Sequence, residues 1–361
     1  MNDAAIKTIK IETLTPVHIG SGVLLQKWYD FIIDDSNENV YVIDYDKMAM
    51  LVGNNQQSIQ EWTAAISSAN IEKYVKEILN GHRCAEIAKR RISNYDDFTK
   101  GQGTLKECLH DGLGRPYIPG SSIKGAIRTA IVTELTEDRD IEKLIFGNNG
   151  KINRKFEEKL IGGGPQEDRL RFLHTGDAFF DKDSTITAKQ VNLNMRASQD
   201  RLLDYRKSQI VEAIAEHEAS TFRLEISYDL CIQIGLRDIT GLFELLNKHT
   251  CNLIDDELYF WTDGKGSDYK GSDDYLDSIQ SIRDTISKCQ TNECAIRLGQ
   301  ASGWRFITGA WTERLNDFDR RIAPLSRPGN NQKYRDYPFP KSRRVDDQSG
   351  LFGFVKLTIL D

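Results

Sequence analysis

Two clusters of residues have the types and spacing that suit an anion. Ser121, Ser122, Lys124, Gly125 and Arg128 stand at the start of a helical pattern, with the two cations four residues apart and a bare glycine beside them. Such a start offers unpaired N–H groups, the positive end of the helix macrodipole and a cation in the first turn, which together fit phosphate. By residue type alone, Lys124 and Arg128 equally well solvate an exposed face, and that is the commoner outcome. The second cluster, His18-Ile19-Gly20-Ser21-Gly22, lets backbone amides approach a sugar-phosphate chain as a nest does, although an ordinary turn uses the same residues.

A third signal lies near the C-terminus. Lys333, Arg335, Lys341, Arg343 and Arg344 alternate with Tyr334, Tyr337 and Phe339, and Pro328, Pro338 and Pro340 keep the segment extended. Cations that track phosphates and rings that stack on bases make a single-strand contact; a solvated loop with its rings packed down is the alternative. The surrounding stretch from Arg297 to Arg344 is basic, opposed only by Glu313, Asp317, Asp319 and Asp336. The formal net charge of the whole chain is −6, which argues against non-specific coating of nucleic acid but leaves room for a local basic surface.

Bond-breaking machinery is not legible. His18 has the chemistry of a general base, but no second histidine or lysine at a recognisable spacing accompanies it, and a structural histidine is the simpler reading. Cys84, Cys108, Cys231, Cys251, Cys289 and Cys294 form no CxxC pair and read as reduced thiols. His217-Glu218 lacks the second histidine of HExxH, and Asp263 to Asp274 does not match a calcium loop, so no metal and no cofactor is expected. Asp177 reads as a cap or turn residue rather than a catalytic acid.

The elements that must position these residues follow from periodicity. The 361 residues suggest two domains or one with large insertions, with no apolar run long enough for a bilayer span or secretory segment, so a cytoplasmic location without membrane contact is expected. Ile6 to Leu14 alternates as a strand with Ile9 and Ile11 on its apolar face, and Trp28–Asp34 with Asn39–Tyr45 reads as a hairpin. Ser58 to Arg91 has helical spacing, through Ile71, Tyr74, Val75, Ile78 and Leu79. Pro119 to Leu135 is the clearest helix, with Ser121 or Ser122 as N-cap and an apolar stripe through Ile123, Ile127, Ala130 and Ile131. Leu170 to Phe180 has β character, Arg201 to Glu218 reads as an amphipathic helix and Phe222 to Ile234 as a strand. Thr262 to Tyr275 reads as a surface loop, and a helix near Ile279 to Cys289 and a strand over Phe354 to Leu360 close the chain. Interleaved strands and helices give an α+β class.

In this order the segments resemble a known family. Leu14-Thr15-Pro16-Val17-His18-Ile19-Gly20-Ser21-Gly22, and more specifically Tyr117-Ile118-Pro119-Gly120-Ser121-Ser122-Ile123-Lys124-Gly125-Ala126-Ile127-Arg128, resemble the RAMP superfamily of CRISPR RNA-binding proteins. Leu170 to Ala178 looks like the strand that follows in the family, and Arg297-Leu298-Gly299 to Gly303-Trp304 looks like its internal Gly-rich loop. Tyr337-Pro338-Phe339-Pro340-Lys341-Ser342-Arg343-Arg344 and Gly350-Leu351-Phe352-Gly353 are similar to members from type III-A effector complexes.

The resemblance implies two ferredoxin-like (RRM-like) domains with large insertions, placed here at 1–180, with a helical insertion, and at 181–361. It implies CRISPR RNA, the repeated backbone RAMP subunit, the other type III-A subunits and recruited host nucleases as partners. It also implies a non-catalytic subunit that caps the assembly at the 3′ part of the RNA and supports 3′-end maturation; the competing reading is a metal-independent endoribonuclease that itself processes the RNA. The RNA-facing positions it implies are His18, Gly20, Ser21, Gly22, Ser121, Ser122, Lys124, Gly125, Arg128, Gly299, Gly303, Lys341, Arg343 and Arg344.

Overall fold

A computed structural model of the chain describes residues 4–53, 55–68, 71–80, 83–95, 103–146, 156–164, 166–196, 202–269, 271–307, 310–318 and 337–361. The chain opens on β1 (Ala4–Thr13), whose Ile9 and Ile11 are fully buried as their alternation requires. After the His18 loop come β2 (Gly20–Gln26) and the hairpin of β3 (Phe31–Ile33) and β4 (Asn39–Ile43), closed where Asp34 accepts from the Glu38 and Asn39 amides. Three helices form an insertion: α1 (Tyr45–Val52), α2 (Gln56–Ile66) and α3 (Ile71–Ile78). Asp44 and Asn55 cap the first two by accepting orphan amides. Then follow β5 (Ala88–Ser93), β6 (Thr104–Cys108), β7 (Tyr117–Ile118), α4 (Gly120–Glu134), α5 (Ile141–Ile145) and α6 (Glu158–Ile161). The remaining strands are β8 (Leu173–Thr175), β9 (Ala178–Phe179), β10 (Thr185–Asn194), β11 (Leu203–Ile214) and β12 (Ala219–Ser227). The chain ends through α7 (Tyr228–Gln233), α8 (Ile239–Thr262), α9 (Asp273–Ser287), β13 (Glu293–Arg297), β14 (Ser342–Val345) and β15 (Phe354–Ile359).

Two sheets of ferredoxin-like type organise the α+β fold. The first runs β13-β15-β1-β12-β8, so both ends of the chain contribute to it; α4 and α8 cover one face and join Ile9, Ile11, Ile123, Ile127, Leu242 and Phe243 in one core. The second runs β2-β6-β11-β10-β5-β4-β3, with β14 added on β10. A separate core beneath β10, β14 and α9 holds Val191, Phe260, Trp261, Tyr275 and Ile282. No helix among the described residues is long and apolar enough to cross a membrane.

Several sequence expectations change. The expected helix over Arg201 to Glu218 is, from Leu203 to Ile214, a strand: β11 is inserted between β10 and β6, and Ile210 to Ile214 are buried without a break. A strand covered on both faces loses its alternation, and the remaining apolar spacing imitates a helix. Ala88 to Arg91, read as helical, forms β5. The strand expected through Ile234 stops at Ser227, whose hydroxyl accepts from the Leu230 amide and starts α7. Helix α4 is not capped by Ser121 or Ser122: Pro119 is the N-cap residue, and the Asp177 carboxylate accepts from the Gly120 amide at 2.7 Å. The expected loop over 262–275 is shorter, because α9 starts at Asp273 and Tyr275 is buried in it.

Candidate nucleic-acid interface

The two Gly-containing loops are one structural unit. Val17 exchanges backbone hydrogen bonds with Ile214, and the His18 ring is 2% exposed with Nδ1 2.6 Å from the Glu212 carbonyl oxygen. The His18 carbonyl in turn accepts from the Gln300 amide at 3.3 Å. Gly299 has φ 84°, and a Cβ there would stand 2.6 Å from the His18 carbonyl oxygen, so the approach of the loops requires glycine. Ala301 anchors the second loop on Ala188 and Val211 of β10 and β11. Gly20 sits against the His18 ring, Gly22 faces open space, and the Ser21 hydroxyl donates to Glu107 at 2.8 Å.

Beneath this unit lies a buried charge cluster that the residue pattern did not reveal. Glu212 is fully buried; Arg90 bonds to it at 2.9 Å, the Cys108 amide at 3.1 Å, and His110 lies 3.3 Å away. Burial alone would raise the Glu212 carboxyl, but His110 and Arg90 outweigh it and bring it to about 2. Burial pushes His18 below the ordinary imidazole range, so it is neutral near pH 7.

The Gly299–Gly303 loop forms one wall of a cleft of about 580 Å³, with β10, β11 and β14 as its floor and Trp304 and the Phe339–Lys341 segment beside it. Five cations line it with Arg343: Arg196, Arg206, Lys207, Lys341 and Arg344. Arg206 is bound to Asp204 at 2.8 Å, and this bond brings the carboxyl to about 2 against the opposing effect of burial. Arg196 and Lys207 are exposed, and among the described residues neither they nor Arg344 has a carboxylate partner. Burial lowers the Arg344 pKa; burial and then the Arg344 charge lower that of neighbouring Lys106. A half-buried cation lowered by a neighbouring one favours an anion between them. Arg343 is different: it is 8% exposed and held by Glu257 of α8 through bonds of 2.6 and 3.0 Å.

The structure thus brings His18, Gly20, Gly299, Gly303, Lys341, Arg343 and Arg344 into one region, and adds Arg196, Arg206 and Lys207, which sequence reasoning missed, the last two by reading β11 as a helix. Adjacent cations at Arg206-Lys207 were the available signal. Ser121, Ser122, Lys124, Gly125 and Arg128 do not line this cleft. There the Gly120 amide is taken by Asp177, Lys124 Nζ donates to the Leu173 carbonyl at 2.9 Å, and Arg128 pairs with Glu157 at 2.6 Å. Phe339 packs on Trp304 and Phe318, with ring centroids 4.9 and 5.6 Å apart, and so joins the body rather than standing free. Arg327, Pro328, Lys333, Tyr334 and Arg335 lie outside the described residues.

The open face of the five-stranded sheet has no comparable character. Lys10 pairs with Glu12 at 2.7 Å, Arg223 with Glu225 at 3.6 Å and Lys356 with Glu293 at 3.5 Å. The β1 residues on that face are Ile6, Thr8, Lys10 and Glu12, none of them aromatic. An RRM sheet stacks bases on rings at such positions, and β1 supplies none there.

Comparison with known proteins places the geometry in context. A family model described as the RAMP superfamily matches residues 10–279. A protein of Streptococcus thermophilus described as the CRISPR system Cms protein Csm5 is 27% identical over 232 residues, 57% of this chain and 61% of that protein. A Methanocaldococcus jannaschii protein of the same description is 25% identical over 182 residues, 47% of this chain and 42% of that one. The matched stretches therefore span less than two thirds of these relatives. One chain of a type III-A Csm–crRNA–target RNA ternary complex superposes with a TM-score of 0.72 at 18% identity, covering 98% of this chain and 100% of that one. The crystal structure of T. onnurineus Csm5 gives a TM-score of 0.65 at 16% identity, covering 97% and 100%. Both likenesses are of fold.

Proposed function

The chain belongs to the RAMP superfamily, and on that premise we propose that it is a non-catalytic RNA-binding subunit of a type III-A CRISPR effector complex. Its cleft holds the 3′ part of the CRISPR RNA, and its place is the end of the assembly, beside the repeated backbone RAMP subunit. From there it supports 3′-end maturation by host nucleases. The observation that carries this reading is the meeting of the Gly299–Gly303 loop with Lys207, Lys341 and Arg344 in one cleft, where the cations outnumber the acid. Backbone amides and hydroxyls at Gly299–Gly303 and His18–Gly22 approach the ribose-phosphate chain, the cations neutralise phosphates, and Trp304 offers a ring to a base. Helix α4 provides a second contact at Ser121, Ser122, Lys124, Gly125 and Arg128, which requires Arg128 to exchange Glu157 for a phosphate.

Autonomous RNA cleavage by His18 is the weaker reading. A general base must reach the 2′-hydroxyl proton within hydrogen-bond distance, whereas this ring is buried with Nδ1 engaged by the Glu212 carbonyl. Photocrosslinking from 4-thiouridine-substituted CRISPR RNA in the assembled complex tests the proposal. Crosslinked peptides containing Lys207, Trp304 or Lys341–Arg344 are expected; crosslinks confined to other surfaces overturn it.

A further inference from the structure

We propose that Glu257, which lies behind the cleft on α8, is the positioning residue that fixes the two cleft walls relative to one another; this inference rests on the RNA-binding reading of the cleft. Glu257 is 4% exposed, yet its carboxylate is shared between two chain segments remote in sequence. Arg343 donates to it through Nε at 2.6 Å and Nη2 at 3.0 Å, a planar fork that fixes orientation as well as distance. Arg343 also donates to the Pro340 carbonyl, so the bond sets how the Pro340–Lys341 turn enters β14, which carries Arg344. The second segment is the Gly303-Trp304-Arg305 turn, whose Arg305 donates to the same carboxylate and to Glu313 at 3.2 Å. Trp261 Nε1 at 2.9 Å and the Tyr275 hydroxyl at 3.0 Å complete the shell from α8 and α9. The Phe260 ring lies 4.4 Å from the Arg343 guanidinium and 5.1 Å from that of Arg305, which keeps both planar groups from rotating.

A buried ion triad is a poor device for stability alone, because apolar residues of similar volume often do as well or better. Its distinctive property is geometric. One carboxylate holds two mutually repelling guanidinium groups, and thereby holds the cation-bearing turn of one wall against the Trp304 turn of the other. Without the negative charge, Arg343 and Arg305 repel, and Lys341 and Arg344 leave the line along which phosphates would lie.

This role predicts an effect opposite to that of simple charge. Glu257 is an anion behind an RNA site, so by Coulomb attraction alone its neutralisation strengthens RNA binding. The positioning role predicts weakening. Binding of a 5′-fluorescein-labelled unstructured single-stranded RNA is measured by anisotropy across a salt series for the full chain, Glu257→Gln, Lys341→Ala/Arg344→Ala and the triple variant. Displacing two phosphate contacts weakens Glu257→Gln about tenfold near 0.15 M salt and shallows log K against log salt by up to about 1.4. The triple variant binds no more weakly than Lys341→Ala/Arg344→Ala, because Glu257 acts through those cations; a merely structural loss would add to it. Unchanged or tighter binding by Glu257→Gln, or additive losses in the triple variant, overturns the inference. Should Glu257→Gln fail to show a cooperative thermal transition, Arg343→Lys, which keeps the charge and loses the fork, decides: weakened binding supports the role and unchanged binding overturns it. Equal RNA binding by wild type and Lys341→Ala/Arg344→Ala is a different failure, which removes the cleft reading and this inference with it.

Discussion

On the proposed RNA-binding role, two groups of cations are candidates for the main contact, and they differ in their surroundings. Lys207, Lys341 and Arg344 line the cleft, whereas Lys124 and Arg128 sit outside it at the start of α4, where Arg128 is paired with the Glu157 carboxylate at 2.6 Å. Each single-strand phosphate neutralised contributes about 0.7 to the slope of log K against log salt, which near 0.15 M salt is a factor of about 4. Replacing Lys207, Lys341 and Arg344 with alanine therefore weakens RNA binding by up to about 50-fold and shallows the slope by about 2. For Arg128 the gain is smaller, because binding phosphate gives up the Glu157 pair; that partly exposed pair is worth about 1 kcal/mol or less. Lys124→Ala/Arg128→Ala weakens binding as well, with the slope shallower by at most about 0.7 per lost contact. Both variants are compared with wild type by filter binding of labelled CRISPR RNA between 50 and about 300 mM salt. The ranking is refuted if the α4 double variant loses more affinity and slope than the cleft triple variant, and the cleft itself is refuted if the triple variant matches wild type.

Other consequences follow from the same geometry. Gly299→Ala puts a Cβ 2.6 Å from the His18 carbonyl oxygen at φ 84°, and is expected to lower stability by about 1–3 kcal/mol; an unchanged urea midpoint contradicts the interlocked loops. Wild-type chain in EDTA is expected to leave labelled CRISPR RNA intact, and cleavage that disappears in His18→Ala would establish the enzymatic reading instead. Stability should fall steadily with acidification. Burial holds His18 below its ordinary 6.5 and His249 at about 4, so the unfolded chain takes those protons first as the pH drops below 6.5. Glu212, at about 2 in the fold against 4.5 ordinarily, contributes about 3 kcal/mol that is complete above pH 4.5 and is lost toward pH 2. A urea midpoint that stays flat from pH 7 to pH 4 would show that these buried groups relax on protonation.

Elements with one solvated face were readable from the residues: the alternation of β1 around Ile9 and Ile11, and the stripe of α4 through Ile123, Ile127 and Ile131, match what is buried. Elements enclosed on more than one side were not. Strand β11 is covered by neighbours and by packing, and α8, buried through Leu242, Phe243, Leu246, Ile254 and Trp261, lacks the contrast that marks a surface helix. The site divides along the same line. Local composition exposes Gly299, Gly303, Lys341 and Arg344, but the bonds that bring their segments together run through Glu257, 86 residues from Arg343 and 48 from Arg305.

The overall charge of −6 and a site for a polyanion are compatible because charges outside the cleft are paired locally at several places. Lys10–Glu12, Lys248 between Glu134 and Glu137, and Arg283–Asp255 each close within about an ion-pair length, so their fields die away over a few ångströms of water. In the cleft the arrangement is reversed. Asp204 is occupied by Arg206 and Glu257 by two arginines, leaving Arg196, Lys207 and Arg344 without acidic partners among the described residues. With a Debye length of about 8 Å at physiological salt, these cations act on phosphates already inside the cleft and add little to long-range steering. On the proposed role, capture of RNA by the isolated chain is therefore slow relative to capture by a basic protein, and salt acts mainly on the phosphate contacts made inside the cleft. On the proposed role, an RNA end delivered by neighbouring subunits escapes that limit, which is the physical advantage such a cleft would gain in an assembly.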